Sequence, residues 1–206
     1  MAVLLLCGCG QKSETAAATP AQAVTASAAQ SSTVRPVSTG VTPEQFGAKG
    51  DGIADDLQAL QAAMQQASAS GRPLELTAGA VYRFSSCLGL PSALAIQGNG
   101  AVLLSDIQDP DLREDRVAVE LMKDSDDDRA HDVRLENVTF RAADSCQANY
   151  MLRVMLARNV EFVGCTFDCE PNEWGRCAAD LYGGNENIRF EGCVFRQMTS
   201  GASGGI

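Results

Sequence analysis

Three stretches of the chain carry the same alternation of apolar and polar positions. His131-Asp-Val-Arg-Leu-Glu-Asn-Val-Thr-Phe140 aligns with Arg158-Asn-Val-Glu-Phe-Val-Gly-Cys-Thr-Phe167 and with Glu186-Asn-Ile-Arg-Phe-Glu-Gly-Cys-Val-Phe195, so the spacing from one segment to the next is nearly constant. Alternation with a period of two predicts short strands, and a fixed longer period of this size predicts a stacked solenoid. The equivalent apolar positions are Val133, Val160 and Ile188; Leu135, Phe162 and Phe190; Val138, Cys165 and Cys193; Phe140, Phe167 and Phe195. All are expected to point inward, one above the next. Asn137, Gly164 and Gly192 hold the turn between the two strands of each unit, as residues that tolerate left-handed backbone do. A leucine-rich or hexapeptide solenoid fits neither the period nor the several short strands per unit.

The outward positions test this register independently. Neighbouring coils lie about 4.8 Å apart, so like charges stacked directly above one another are disfavoured. The register predicts the triplets Arg134, Glu161, Arg189 and Arg141, Asp168, Arg196, both alternating in sign, with Val163 keeping Glu136 from Glu191.

Upstream the pattern changes. Leu57, Leu60, Met64 and Ala67 follow at spacings of three, four and three, one face of a helix of about four turns. Gly71, followed by Arg72-Pro73, ends it. Gly47, Gly50 and Gly52 predict tight turns ahead of the helix, with Asp55 as N-cap and Asp56 in the first turn. After the helix, Leu74-Glu-Leu76, Val81-Tyr-Arg-Phe84, Leu94-Ala-Ile96 and Ala101-Val-Leu-Leu104 are short strands set off by glycine turns.

Phe46-Gly47-Ala48-Lys49-Gly50-Asp51-Gly52, followed by Asp55-Asp56 and the helix from Leu57 through Ala67, resembles the opening of the pectate-lyase-like β-helix proteins. That group includes polygalacturonase and rhamnogalacturonase hydrolases, uronan epimerases and many phage tailspikes. The match covers about 30 positions and departs from the group at Leu57, where a small hydroxyl residue commonly follows the paired Asp. The resemblance implies an all-β solenoid, a right-handed parallel β-helix whose N-terminal end is plugged by a capping α-helix. It assigns residues 41–72 to the cap and 73–206 to the coils, and gives Asp51, Asp55 and Asp56 turn and cap roles rather than catalytic ones. The repeat runs out at Thr199-Ser-Gly-Ala-Ser-Gly-Gly-Ile206 with no closing helix. Because a solenoid needs both ends covered, a truncated β-helix with further coils beyond residue 206 is expected.

The N-terminus carries a different signal. Leu6-Cys7-Gly8-Cys9 resembles a bacterial lipobox, which implies cleavage and lipid attachment at Cys9. The segment 1–9 departs from a standard export signal in having no Lys or Arg before its apolar run, and that run is short. Residues 10–40 are rich in Ala, Ser, Thr and Gln without apolar periodicity, which predicts a disordered tether. The expected localisation is the bacterial cell envelope, exported and lipid-anchored to the outer membrane. No stretch approaches the roughly 20 apolar residues that span a bilayer.

Charge narrows the partners. A net charge of −10 and 13 Arg to 3 Lys exclude nucleic acid, which needs basic residues in excess. The resemblance instead implies a polysaccharide partner, with lyase, glycoside hydrolase or epimerase activity in the full-length protein. The Asn-Thr-Asp, Asp-Asp, Gly-His-Gly and Arg-Ile-Lys motifs of the hydrolases on successive coils are not found, nor is the Arg-x-Pro-x-x-Arg pattern of pectate lyases. A non-catalytic glycan-binding envelope or tailspike-like module, or an inactive fragment, therefore stands beside the enzyme. The oligomeric state stays open, a tailspike-like trimer included.

Among single residues, Arg153 and Asp180 lie on the strands preceding each repeat and are the catalytic candidates, Arg to neutralise a uronate and Asp as acid or base. Trp174 and Tyr182 are the candidate sugar platform. Cys169 and Cys177 bracket a short loop that a disulfide could close in an exported protein. No cofactor is expected, Asp124-Ser-Asp-Asp-Asp128 being the one candidate Ca²⁺ loop against a solvated turn. His131, the sole histidine, sits at a turn position with no partner evident from the sequence.

Overall fold

The computed structural model describes residues 40–108, 116–122, 128–169 and 176–196. A 3₁₀ turn (Pro43–Phe46), strand β1 (Asp51–Asp55) and helix α1 (Leu57–Ser70) open the fold. Coil one contributes β2 (Leu74–Glu75), β3 (Val81–Phe84) and β4 (Leu88–Gly89). Coil two contributes β5 (Ala95–Gln97), β6 (Val102–Ser105) and β7 (Val117–Met122). Coil three holds β8 (Ala130–Glu136), β9 (Thr139–Ala142) and β10 (Tyr150–Met155). Coil four holds β11 (Ala157–Val163), β12 (Thr166–Asp168) and β13 (Cys177–Tyr182), and β14 (Glu186–Glu191) and β15 (Val194–Arg196) begin a fifth.

From β2 onward every third strand pairs in parallel, and β1 adds to β3, so three sheets run along the solenoid: sheet A (β2-β5-β8-β11-β14), sheet B (β1-β3-β6-β9-β12-β15) and sheet C (β4-β7-β10-β13). The chain is a right-handed parallel β-helix with an N-terminal capping helix. Each strand's amides and carbonyls are satisfied by the coils above and below, which is why such short strands persist.

The register is the one the repeat predicts. Val160 pairs with Val133 and Ile188, Phe162 with Leu135 and Phe190, and Phe167 with Phe140 and Phe195. The rings of Phe140, Phe167 and Phe195 stack at 4.8 and 4.9 Å, and those of Phe162 and Phe190 at 4.8 Å. The two columns meet edge-to-face or tilted, with centroids 6.0 to 6.5 Å apart. Such ring pairs add about 0.5–1.5 kcal/mol each beyond the area they bury. Outside, Arg134 bonds Glu161, Arg189 lies 3.7 Å from the same carboxylate, and Arg141 meets Asp168 at 3.3 Å.

The corner leading into sheet A is built from left-handed residues. Asp132, Asn159 and Asn187 have φ of 56°, 54° and 54°, and Ala93 repeats the conformation one coil earlier at 54°. Their side chains continue the column: Asn159 donates to Asp132 and Asn187 donates to Asn159, both at 2.9 Å. The next corner holds Asn137, Gly164 and Gly192, also at positive φ. A Cβ on Gly164 would come within 2.6 Å of Asn137 Oδ1, so glycine is required there twice over. Coils keep register despite unequal lengths. Ala95 pairs with Arg134 and Arg134 in turn with Glu161, the first step being much the longer along the chain.

The cap closes the core as its pattern predicts. Ala59, Leu60, Ala63, Met64 and Ala67 of α1 are buried, and Gly71 at φ 64° ends the helix. The N-cap is Asp56 rather than Asp55, and its carboxylate does not bond the helix. It accepts instead from the amides of Lys49 (2.7 Å) and Gly50 (3.0 Å), donors the glycine-rich loop cannot satisfy within itself. Asp55 accepts from Leu57 N–H at 3.1 Å and from the Ser85 hydroxyl. Asp51 accepts from Ile53 and Ala54 at 2.8 and 2.9 Å. All three carboxylates are thus occupied by turns.

Candidate functional site

The outward face of sheet C forms a groove of about 710 Å³ lined by Val117, Glu120, Tyr150, Arg153, Met155, Asp180 and Tyr182. Parallel pairing sets its centre. Arg153 lies in register with Glu120 on one side and Asp180 on the other, giving an acid–base–acid column across three coils. Arg153 Nε donates to Asp180 Oδ2 at 2.9 Å, and its guanidinium carbon sits 4.6 Å from the Tyr150 ring centroid. The pair is sheltered, with side-chain exposures of 15% for Arg153 and 26% for Asp180. Tyr182, aligned with Met155, stands 65% exposed at the far edge.

Cys87 adjoins Glu120 at one end of this column. Burial, with the Glu120 charge and a hydrogen bond to it, pushes the thiol up to about 12, so it stays protonated and acts as a neutral neighbour. The groove therefore combines two carboxylate acceptors, one engaged cation and two tyrosines. Hydroxyl-rich ligands with apolar faces suit this set, since carboxylates accept from hydroxyls and aromatic rings cover C–H surfaces.

The structure brings together three residues singled out from sequence, Arg153, Asp180 and Tyr182. It adds Glu120 and Tyr150, which sequence reasoning missed. Trp174, Cys9 and the run Asp124–Asp127 lie outside the described residues, and Asp128 is exposed. Cys169 and Cys177, the pair expected to close a disulfide, are both buried, with their sulfurs not joined to each other in the structure. Each is already used. Cys169 fills the core after β12, and Cys177 opens β13 with its sulfur 3.1 Å from the Ala179 carbonyl. Burial raises the Cys169 thiol to about 12, against the pull of nearby Arg176. His131 does have a partner: its Nδ1 lies 3.0 Å from Asp132 on the exposed corner, remote in the coil from the sheet C column.

No family model matches the chain. A 60-residue stretch is 43% identical to a protein of Klebsiella phage K5-2 described as "Depolymerase 1, capsule K30/K69-specific"; it covers 29% of this chain and 7% of that protein. Among solved structures, PfbA, a surface adhesin of Streptococcus pneumoniae, superposes with a TM-score of 0.61 at 19% identity, over 79% of this chain and 40% of that one. A second PfbA structure gives 0.53 at 17% identity, over 79% and 44%. The likeness is one of fold. The chain spans under half the length of these proteins, and the parallel β-helix is what they share.

Proposed function

We propose that this chain belongs to an exported protein that recognises a polysaccharide on the sheet C face, with the glycan crossing the Glu120–Arg153–Asp180 column between Tyr150 and Tyr182. The observation that carries this reading is the groove itself: polar and aromatic groups from successive strands β7, β10 and β13 converge on one concave, sheltered surface. The phage relative, described as a capsule depolymerase, adds support independent of the groove's geometry. Binding is the primary role. The protein is delivered to the cell envelope by lipidation of Cys9, with residues 10–40 as its tether.

The test is direct. The purified chain is screened against a broad array of bacterial and plant polysaccharides, with Arg153→Ala as control. Retention of at least one polymer by the wild type and its loss in the variant is the expected outcome. Equal retention of that polymer by both proteins would place the binding elsewhere. For the anchor, envelope fractions are analysed by mass spectrometry; a diacylglyceryl adduct on Cys9 that disappears in Cys9→Ser is expected, and an unmodified Cys9 refutes it.

A second reading, hydrolysis, has one observation in its favour. Glu120 and Asp180 lie two strand spacings apart, roughly 9.5 Å. That approaches the separation of about 6.5–9.5 Å at which one carboxyl protonates a leaving oxygen while the other activates water. New reducing ends from the bound polymer, abolished by Asp180→Asn, would establish it, and an intact polymer after prolonged incubation would exclude it.

A further inference from the structure

The charge pattern of the groove bears on which glycans can enter it, an inference that rests on the polysaccharide reading above. Arg153 is the only cation lining the groove among the described residues, and it is engaged on several sides. Its Nε is bonded to Asp180, its guanidinium covers Tyr150, and Glu120 sits in register on its remaining flank. Two fixed carboxylates against one guanidinium leave the column with a formal charge of −1, within a chain of net charge −10. A uronate carboxylate could reach Arg153 only by displacing Asp180 or by standing beside it, and either arrangement puts like charges together in a sheltered site. A neutral ring meets no such penalty. Its hydroxyls donate to Glu120 and Asp180, and its C–H faces lie on Tyr150 and Tyr182.

We infer that the sheet C groove selects uncharged segments of polysaccharide and rejects uronate-bearing ones, because the acid–base–acid column already satisfies its single arginine. This reverses the role that sequence alone suggests for Arg153, that of neutralising a uronate. Here the arginine instead holds two acceptors in place, at a spacing fixed by the coils.

The experiment compares matched polymers. Each acidic polysaccharide on the array, polygalacturonate and alginate among them, is presented beside its carboxyl-reduced neutral form, so that backbone and linkage are shared. The wild-type chain is expected to bind the neutral member more tightly, by about fivefold for each uronate placed against the column at low salt. Raising the salt from about 0.02 M to about 0.5 M should narrow that gap, because screening removes repulsion. In the double variant Glu120→Gln, Asp180→Asn the arginine is left uncompensated, and preference should pass to the acidic member. Acidic members bound as tightly as their reduced partners, or more tightly, would overturn the inference while leaving glycan binding standing. Discrimination unchanged in a folded double variant, or unaffected by salt, would also overturn it. Absence of binding to every polymer, acidic or neutral, would sink the polysaccharide reading and this inference with it. The wild-type comparison and its salt series decide the matter even if the double variant does not fold.

Discussion

Two faces of the same solenoid carry columns of alternating charge, and they are put to different uses. On sheet A, Arg134, Glu161 and Arg189 stack in register, with side-chain exposures of 45%, 36% and 56%, and Glu136 and Glu191 crowd beside them. On sheet C, Glu120, Arg153 and Asp180 stack in the same manner, but the central pair is sheltered and bounded by tyrosines. Alternation is therefore a condition of stacking at about 4.8 Å, met wherever charged residues line up, and by itself it marks no site. What distinguishes sheet C is concavity and aromatic borders. The same charge pattern, once removed from bulk water, becomes a fixed set of acceptors.

That contrast can be broken in several ways, beginning where the largest effect is expected. Phe167→Ala empties the middle of the stacked column beneath both faces and should cost about 3–5 kcal/mol in chemical denaturation; a loss below about 1 kcal/mol would mean that the rings are not the shared support. Arg153→Glu places three acids in one sheltered column and should cost about 2 kcal/mol, whereas Glu161→Arg, which stacks three arginines on the exposed face, should cost about 0.5–1 kcal/mol. Equal costs would erase the distinction between the faces. Tyr182→Ala should weaken glycan binding about tenfold, or 1.4 kcal/mol, while changing stability by less than about 0.5 kcal/mol; wild-type affinity in this variant would remove Tyr182 from the groove's function.

The smallest effect is a pH dependence away from both faces. Burial acts to raise the Asp106 carboxyl, but hydrogen bonds from Ser145, Gln108 and Arg83 together outweigh it and hold the group below its ordinary value. A carboxyl depressed in the folded state contributes stability that is fully present above its unfolded value, about 3.9. That contribution is lost as the pH falls through the folded value. Thermal melts from about pH 5 downward should therefore fall less steeply for Asp106→Asn than for the wild type, and parallel curves would show that Asp106 is not the group responsible.

Much of the fold was legible because a β-helix writes its geometry as a period. Phe140, Phe167 and Phe195 recur at a nearly even spacing, and only stacked coils explain three aromatic positions so placed. Arg153, Asp180 and Tyr182 were reachable through the same register, lying just ahead of each repeat. Glu120 was not, because the step along the chain from Glu120 to Arg153 is longer than the step from Arg153 to Asp180. That extra length hides the alignment until backbone pairing restores it. Tyr150 was hidden for another reason: its pairing partners, Val117 and Cys177, share no chemistry with it. The exchange of Asp55 for Asp56 at the helix start follows from the glycine loop, whose unsatisfied amides compete for the nearest carboxylate in a way no capping preference encodes.

The left-handed corner of Asp132, Asn159 and Asn187 has a consequence for how such a molecule changes over generations. Each corner is pinned by hydrogen bonds to its counterparts one storey away, so a coil re-enters sheet A at the same point however many residues it spent on the excursion around the barrel. Coil two makes a far longer circuit than coil three and still arrives in step. Insertions and deletions between the corners can thus remodel the rims of the groove, and with them the choice of ligand, while leaving the stacked interior untouched.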